Sequence, residues 1–422
     1  MREDFLHFLW RTKRLNLENL YSTENAPLQV LDFGIYNRHA GPDFIGAKVK
    51  IGGTLWAGNV EMHLRASDWI KHRHQEDANY DNVILHVVLE EDQPIFRKNG
   101  ERIPCLQIAK RIPSNIQKTY QKIVHSQNWI PCQNQLHSVP NLTINLYLDR
   151  LLIERLEEKT TYIAKVLNDN KNAWETTFYQ LLARNFGLKI NAEPFELLAR
   201  TIPHRLFAKH KNSLFQIEAL LFGQAGMLQS DFKEAYPITL KKEYAFLQKK
   251  YDLHPIKEES WRFFRLRPAN FPTIRIAQFA TLIFQSIHLF SLILEVDTVK
   301  QIEQLFNVEP SFYWETHYVF DKPAIEKSKV LGKNTIHLFI INTIVPFLFL
   351  YGKYHSIESF KEKALRLLEQ LPPEKNSIIT RWRQLEVPSE SAYRTQGLLQ
   401  LKNSYCEQKR CLECAIGNSI LK

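Results

Sequence analysis

Gly41-Pro42-Asp43-Phe44, then Ala47-Lys48-Val49-Lys50, a Gly52-Gly53 turn, and Trp56-Ala57-Gly58-Asn59-Val60-Glu61-Met62-His63 read as a strand, a tight reversal and a second strand. One acid opens the first strand and another stands near the end of the second. Asp43 and Glu61 are 18 residues apart in sequence. A hairpin reversed midway by two glycines sets them side by side. Two carboxylates held together repel unless a cation lies between them, and hard oxygen ligands suit Mg²⁺ or Mn²⁺.

Outward from this hairpin the pattern stays mixed. Residues 3–14 predict a helix with Phe5, Leu6, Leu9 and Trp10 on or near one face. Residues 28–35 predict a strand. Ser67 reads as the N-cap of a helix running to about residue 80, which carries Asp68, Trp69, His72, His74 and Asp77. Residues 83–89 (VILHVVL) form the most continuous β-run in the chain and predict a strand buried on both faces. Asn99-Gly100 marks a further hairpin turn, with a strand over 103–108. The order is helix, three strands, helix, then one or two strands. This places an α/β domain over 1–113, a linker over 114–141, a helical domain over 142–402 and a cysteine cluster over 403–422.

The chain has 422 residues, 44% of them hydrophobic and 24% charged, as in a globular protein with a real core. The formal charge of +10 favours a polyanionic partner such as nucleic acid. Met1-Arg2-Glu3-Asp4 has acids where a secretory leader carries bases. The apolar runs 276–294 and 335–351 are broken by Gln278, Gln285, His288, His337, Asn342 and Pro346, which predicts buried helices and no membrane span. Five cysteines, three of them clustered near residue 410, do not make a secreted disulfide framework, so the expected compartment is the cytoplasm.

Four constellations carry possible chemistry. The first is Asp43 with Glu61-Met62-His63. In the second, on a continuous helix, His72 and His74 point in different directions, whereas His74 and Asp77 share a face. That makes a polar helix face the plain reading of most of these residues, with His74 and Asp77 the accessory candidates. The third is Cys406-x₄-Cys411-x₂-Cys414, whose spacing lets three thiolates converge on zinc or an iron–sulfur cluster. Cys132 is the expected fourth ligand and Cys105 the next choice. The fourth is a loop bearing Arg265, Arg267 and Arg275 at the start of a long helix. Arg267 and Arg275 are its candidate phosphate ligands; arginines that pin a loop between helices are the alternative.

The element order, with Pro42-Asp43 opening one strand and Glu61-Met62-His63 closing the next, resembles the PD-(D/E)XK, or restriction-endonuclease-like, nuclease core. That resemblance implies metal ligation by Asp43 and Glu61 and an accessory acid at Glu3. It puts His63 where the family has lysine, with Arg65 or Lys71 as nearby substitutes for the missing charge. Some members of that family carry an iron–sulfur staple built from one upstream and three downstream cysteines, to which the cysteines here bear a partial likeness. Gly41-Pro42-Asp43-Phe44, Gly58 to His63, Ser67-Asp68-Trp69, Leu85-His86-Val87-Val88, Arg267 to Pro272 and the segment from Tyr405 to Gly417 also resemble, along essentially the whole chain, the bacterial family defined as domain of unknown function 2851. The expectation is an α+β protein acting as a metal-dependent nuclease on DNA or RNA phosphodiesters. The alternative is a non-catalytic nucleic-acid-binding or scaffold protein with a degenerate nuclease fold and a structural zinc or iron–sulfur site.

Overall fold

Gly52 and Gly53 both take positive φ, 55° and 95°, as a two-residue hairpin turn requires. Around that turn a computed structural model describes residues 1–286 and 288–422. The elements of the N-terminal region are α1 (Glu3–Arg11), β1 (Leu20–Tyr21), β2 (Pro27–Asp32), β3 (Ile35–Tyr36), β4 (Phe44–Ile51), β5 (Thr54–Arg65), α2 (Asp68–Lys71), β6 (Val83–Glu90), β7 (Cys105–Gln107) and α3 (Ser114–Val124). The strands form one sheet in the order β1-β2-β4-β5-β6-β7, with β3 pairing the start of β4. Pairing is antiparallel as far as β5, then parallel from β5 to β6 and from β6 to β7. The protein is therefore α+β, with a sheet in its N-terminal part and helices through the region that follows.

Each face of the sheet has its own apolar cover. Phe5, Leu6, Phe8, Leu9 and Trp10 of α1 are buried with Phe44, Val60, Met62, Leu85 and Val87. On the other face Trp69 packs with Ala66, Val83, Val88, Ile95 and Ile103. β6 is buried nearly end to end, as a strand with both faces covered must be.

The structure departs from the sequence expectations in three places near the site. The strand expected over 28–35 is two pieces, because Gly34 turns at φ 76° where a Cβ would lie 2.8 Å from the Ile45 carbonyl oxygen. The strand over 103–108 shortens to β7 and runs parallel to β6, and the Asn99-Gly100 turn closes only the single Phe96–Arg102 bridge. The helix expected from Ser67 to residue 80 stops at Lys71. Arg73 takes a left-handed φ of 60°, and two short 3₁₀ turns, His74–Glu76 and Ala78–Tyr80, follow.

The chain divides into two compact units, Met1–Tyr147 with Leu401–Lys422, and Leu148–Gln400. In the first, residues 114–141 contain α3 and a 3₁₀ turn. The returning segment docks through its own side chains and backbone. Arg14 donates to the Asn418 carbonyl at 3.0 Å, and Cys411 and Leu421 join the core of α1 and α3.

The second unit is helical. Its core includes Phe186, which packs on Phe279 and Phe339 with ring centroids 5.0 and 4.6 Å away. The apolar run 276–294, expected as a buried helix, crosses Ile287, which lies outside the described residues. On either side of it run Pro272–Gln285 and Leu289–Glu295. The helical run Lys333–His355 is long and apolar enough to cross a membrane, and 72% of its most apolar window is buried within the protein. Residues Ile340–Ile344 form a π turn ahead of Pro346. In that register the Ile341 carbonyl faces a residue with no N–H, and Lys159 Nζ donates to it instead at 3.3 Å.

Candidate metal centre and cleft

Register brings the two acids together. Phe44 pairs with Val60, so the residue before Phe44 faces the residue after Val60. The loop into β4 is pinned by Asn37, whose N–H donates to the Asp43 carbonyl at 2.7 Å and whose side chain donates to the Pro42 carbonyl at 3.0 Å. The Asp43 N–H donates to Glu61 Oε2 at 3.0 Å, and the Met62 N–H donates to Asp43 Oδ2 at 2.9 Å. His7 Nε2, from α1, lies 3.1 Å from the same Asp43 oxygen. Burial and the neighbouring Asp43 charge push the Glu61 carboxyl above its ordinary range, against the pull of His74.

The remaining Glu61 oxygen faces imidazoles. Glu61 Oε1 is 3.2 Å from His74 Nε2 and 3.6 Å from His63 Nε2. His63 Nε2 is 3.2 Å from His72 Nδ1, and its other nitrogen is 2.8 Å from His86 Nε2. One ligand nitrogen from each of His63, His72 and His74 lies within 4.8 Å of the others. Burial, with the neighbouring imidazoles, drives His63 down to about 2 and His86 down to about 3, so both rings are neutral at physiological pH. Trp69 packs edge-on against His63, His74 and His86, and Tyr80 stacks on His74 with centroids 3.9 Å apart.

A cleft of about 840 Å³ opens beside His7. Arg2, Arg11, Arg38, Lys409 and Arg410 line it, together with the aromatic rings of Tyr36 and Tyr120. Three acids, Asp4, Glu407 and Glu413, temper that positive lining. Lys409 is held by donation to the Val124 carbonyl at 2.8 Å, and Arg410 by Glu413 at 2.8 Å.

Cys132, Cys406, Cys411 and Cys414 gather in the same unit without forming a disulfide. Burial, and then the other three sulfurs, raise Cys406 well above an ordinary thiol, and burial with Cys414 and Cys411 pushes Cys132 up to about 12. Gly417 is obligatory here, since a Cβ would lie 2.1 Å from the Cys411 carbonyl oxygen. Cys105 is set apart from this group. Its thiol interacts with Glu91, Arg102 and Thr23.

The other expected residues fall in varied places. Glu3 is on α1 one turn before His7 and close enough to raise its pKa. Arg65 is exposed at the end of β5, and Lys71 pairs with Asp68 at 2.5 Å. His74 enters the cluster, whereas the Asp77 carboxylate caps the next turn by accepting from the Asn79 N–H at 2.9 Å. Arg267 is exposed. Arg275 is not a surface phosphate ligand: it is buried and donates to Gln278, Asn270 and Thr335, and burial lowers it to about 10.

Sequence reasoning missed His7, the convergence of His72 with His74, and the cleft. The available signal for His7 was a single imidazole inside the otherwise apolar run from Phe5 to Trp10.

The family model described as "Protein of unknown function (DUF2851)" matches residues 3–377, a span that holds the carboxylates and histidines and ends before Cys406. No curated protein and no solved structure matches the chain.

Proposed function

The chain belongs to the DUF2851 family, and from that premise we propose that its first unit is a metal-dependent hydrolase of nucleic-acid phosphodiesters. The observation that carries this reading is the placement of His7. It touches Asp43, at the paired carboxylates, and lines the cation-bearing cleft. A polyanion lying in that cleft has its phosphates beside Arg11, Arg38 and Lys409 and its bases near Tyr36 and Tyr120. The mixed sheet, with β2, β4 and β5 antiparallel and β6 parallel to β5, further supports a restriction-endonuclease-like core.

The residues fit a divalent cation. A buried carboxylate, Glu61, and a half-buried one, Asp43, are held together with one oxygen of each engaged by backbone N–H, which leaves the others to face a ligand. A cation held there supplies Lewis acidity and a bound water of lowered pKa. Asp43 and Glu61 would hold that cation at the edge of the cleft from which a phosphate is presented. His63 does not restore the lysine's charge, because it is buried and neutral. It serves as a ring nitrogen beside Glu61 Oε1.

That same neutrality favours a second reading, a nucleic-acid-binding or scaffold protein that has lost turnover. Cleavage of plasmid, single-stranded DNA and RNA with Mg²⁺, Mn²⁺ or Zn²⁺, run beside Asp43→Asn, decides between them. Cleavage by the wild type alone supports the hydrolase. Equal inactivity with salt-sensitive binding supports the second reading.

The four cysteines are assigned a structural metal within the same proposal. A single zinc sets its sulfurs about 3.8 Å apart, given Zn–S near 2.3 Å in a tetrahedron. Among the described residues, three or more ligand atoms within 4.8 Å of one another occur only at the histidines. Zinc and an iron–sulfur cluster both take thiolate ligands, and metal analysis distinguishes them.

A further inference from the structure

We infer that His63, His72 and His74, with Glu61 Oε1, form a binding site for one borderline divalent cation of the Zn²⁺ or Co²⁺ class, in place of the Mg²⁺ that a carboxylate pair alone would select. As an account of how the hydrolytic centre is charged, this rests on the proposed function. As a statement about binding, it stands without it.

The first argument is geometric. Ligands at about 2.0–2.1 Å from a tetrahedral zinc stand roughly 3.3–3.4 Å from one another. The measured edges are 3.2 Å from His63 Nε2 to His72 Nδ1, 3.6 Å from His63 Nε2 to Glu61 Oε1, and 3.2 Å from His74 Nε2 to Glu61 Oε1. These edges are close to that spacing, and the three imidazole nitrogens lie within 4.8 Å of one another.

Hydrogen bonding does not satisfy these atoms. His63 Nε2 faces both His72 and Glu61, and one ring N–H can serve only one of them. His74 Nε2 is sealed from solvent and makes no hydrogen bond, although a carboxylate oxygen lies 3.2 Å away. A central cation provides every one of these atoms with a partner.

The outer shell has the form a ligating histidine needs. If His63 binds through Nε2, its proton sits on Nδ1 and is donated to His86 Nε2 at 2.8 Å. Trp69 and Tyr80 fix the rings from the side. The left-handed backbone at Arg73 is the device that aims residues 72 and 74 at one point, when a continuous helix would have splayed them. Three imidazoles and one carboxylate are the donor set of Zn²⁺ and its neighbours, whereas Mg²⁺ prefers an oxygen shell.

His72 is the exposed member of the set, so its removal leaves the core intact. The test is titration of chelator-treated full-length protein with Co²⁺, read by the visible d–d bands of low-coordinate cobalt and followed by Zn²⁺ displacement. Thiolate-bound cobalt adds near-ultraviolet charge-transfer absorption, which separates the cysteines from the histidines. One histidine-dependent equivalent is expected. His72→Ala should weaken it by at least about 100-fold, since outer-shell partners alone are worth roughly 10–100-fold. His86→Ala should cost about 10–100-fold without removing a ligand.

Cobalt binding that is unchanged in both His72→Ala and His74→Ala overturns the inference, as does displacement of cobalt by Mg²⁺ as readily as by Zn²⁺. Histidine-dependent binding with no cleavage of any nucleic acid upholds it and removes the hydrolase reading. Mg²⁺-supported cleavage undiminished in His72→Ala, without histidine-dependent cobalt, removes it and leaves the hydrolase standing.

Discussion

The backbone N–H of Asp43 donates to Oε2 of Glu61 at 3.0 Å, so each acid of the pair is oriented by the other's strand. Met62 completes the exchange by donating to Asp43 Oδ2 at 2.9 Å. The two carboxylates therefore hold fixed directions relative to each other. That pre-positioning makes the consequences of single changes specific.

Asp43→Asn keeps an acceptor for the Met62 N–H, whereas Asp43→Ala leaves that N–H unpaired. Both should lose cleavage, by on the order of 10² or more, because a neutral side chain cannot hold the cation. Only the alanine variant should also lose about 1–3 kcal/mol of stability. Cleavage assays paired with urea unfolding check the split, and full activity in Asp43→Asn would remove the site.

Arg38 is exposed on the cleft wall. Arg38→Glu should weaken single-stranded nucleic-acid binding and reduce the steepness of its salt dependence by about one phosphate contact. Arg267→Glu serves as the comparison outside the cleft and should leave that slope unchanged. Fluorescence anisotropy at several salt concentrations measures both.

Gly58 lies where β5 meets the start of β6. A Cβ there would stand 2.6 Å from the Asn82 carbonyl oxygen and 2.5 Å from Ile84 Cγ2. Gly58→Ala should cost about 1–3 kcal/mol and shift the strand that carries Glu61. A thermal melt together with metal titration shows whether stability and cation affinity fall together, as expected.

Glu218 is buried in the helical unit, with Ser311 and Tyr236 donating to it at 2.7 and 2.9 Å. Burial raises its carboxyl to about 7. A folded-state value above the unfolded one means the native state binds the proton more tightly. The stability this contributes is fully present below about pH 4.5 and is lost as pH rises towards 7, up to about 3 kcal/mol. Glu218→Gln should flatten that part of the stability–pH curve, measured as the difference from wild type across pH 4.5–7.

Cys411 belongs both to the thiol group and to the core of α1 and α3. Anaerobically purified protein should contain iron or zinc at the four cysteines, and Cys411→Ser should lose it. Metal analysis and visible absorption distinguish the two metals. A stably folded, metal-free wild type would exclude the structural metal.

Much of the first unit was legible because its signals are local. The glycine turn, the alternation of β4, the continuous apolar run of β6 and the Pro42-Asp43 start each act within a few residues. The pairing of Asp43 with Glu61 followed from the hairpin register. The histidine cluster did not, because it depends on one backbone conformation. Nothing in the composition of residues 67–80 announces that Arg73 leaves the helix, and helix periodicity separates His72 from His74. His7 was hidden for another reason, since its partner Asp43 is 36 residues away and only tertiary packing joins them. Arg275 misled because a guanidinium at the start of a helix suits a phosphate and a buried polar network equally well.

The first unit is assembled from Met1–Tyr147 and Leu401–Lys422, with the whole helical unit inserted between them. A ribosome adding about 5–20 residues per second takes roughly 12–50 s to pass from one piece to the other. Throughout that interval the cleft lacks the wall that Lys409 and Arg410 provide, and the core lacks Leu421. The first unit can therefore close only after the whole helical unit has been synthesised.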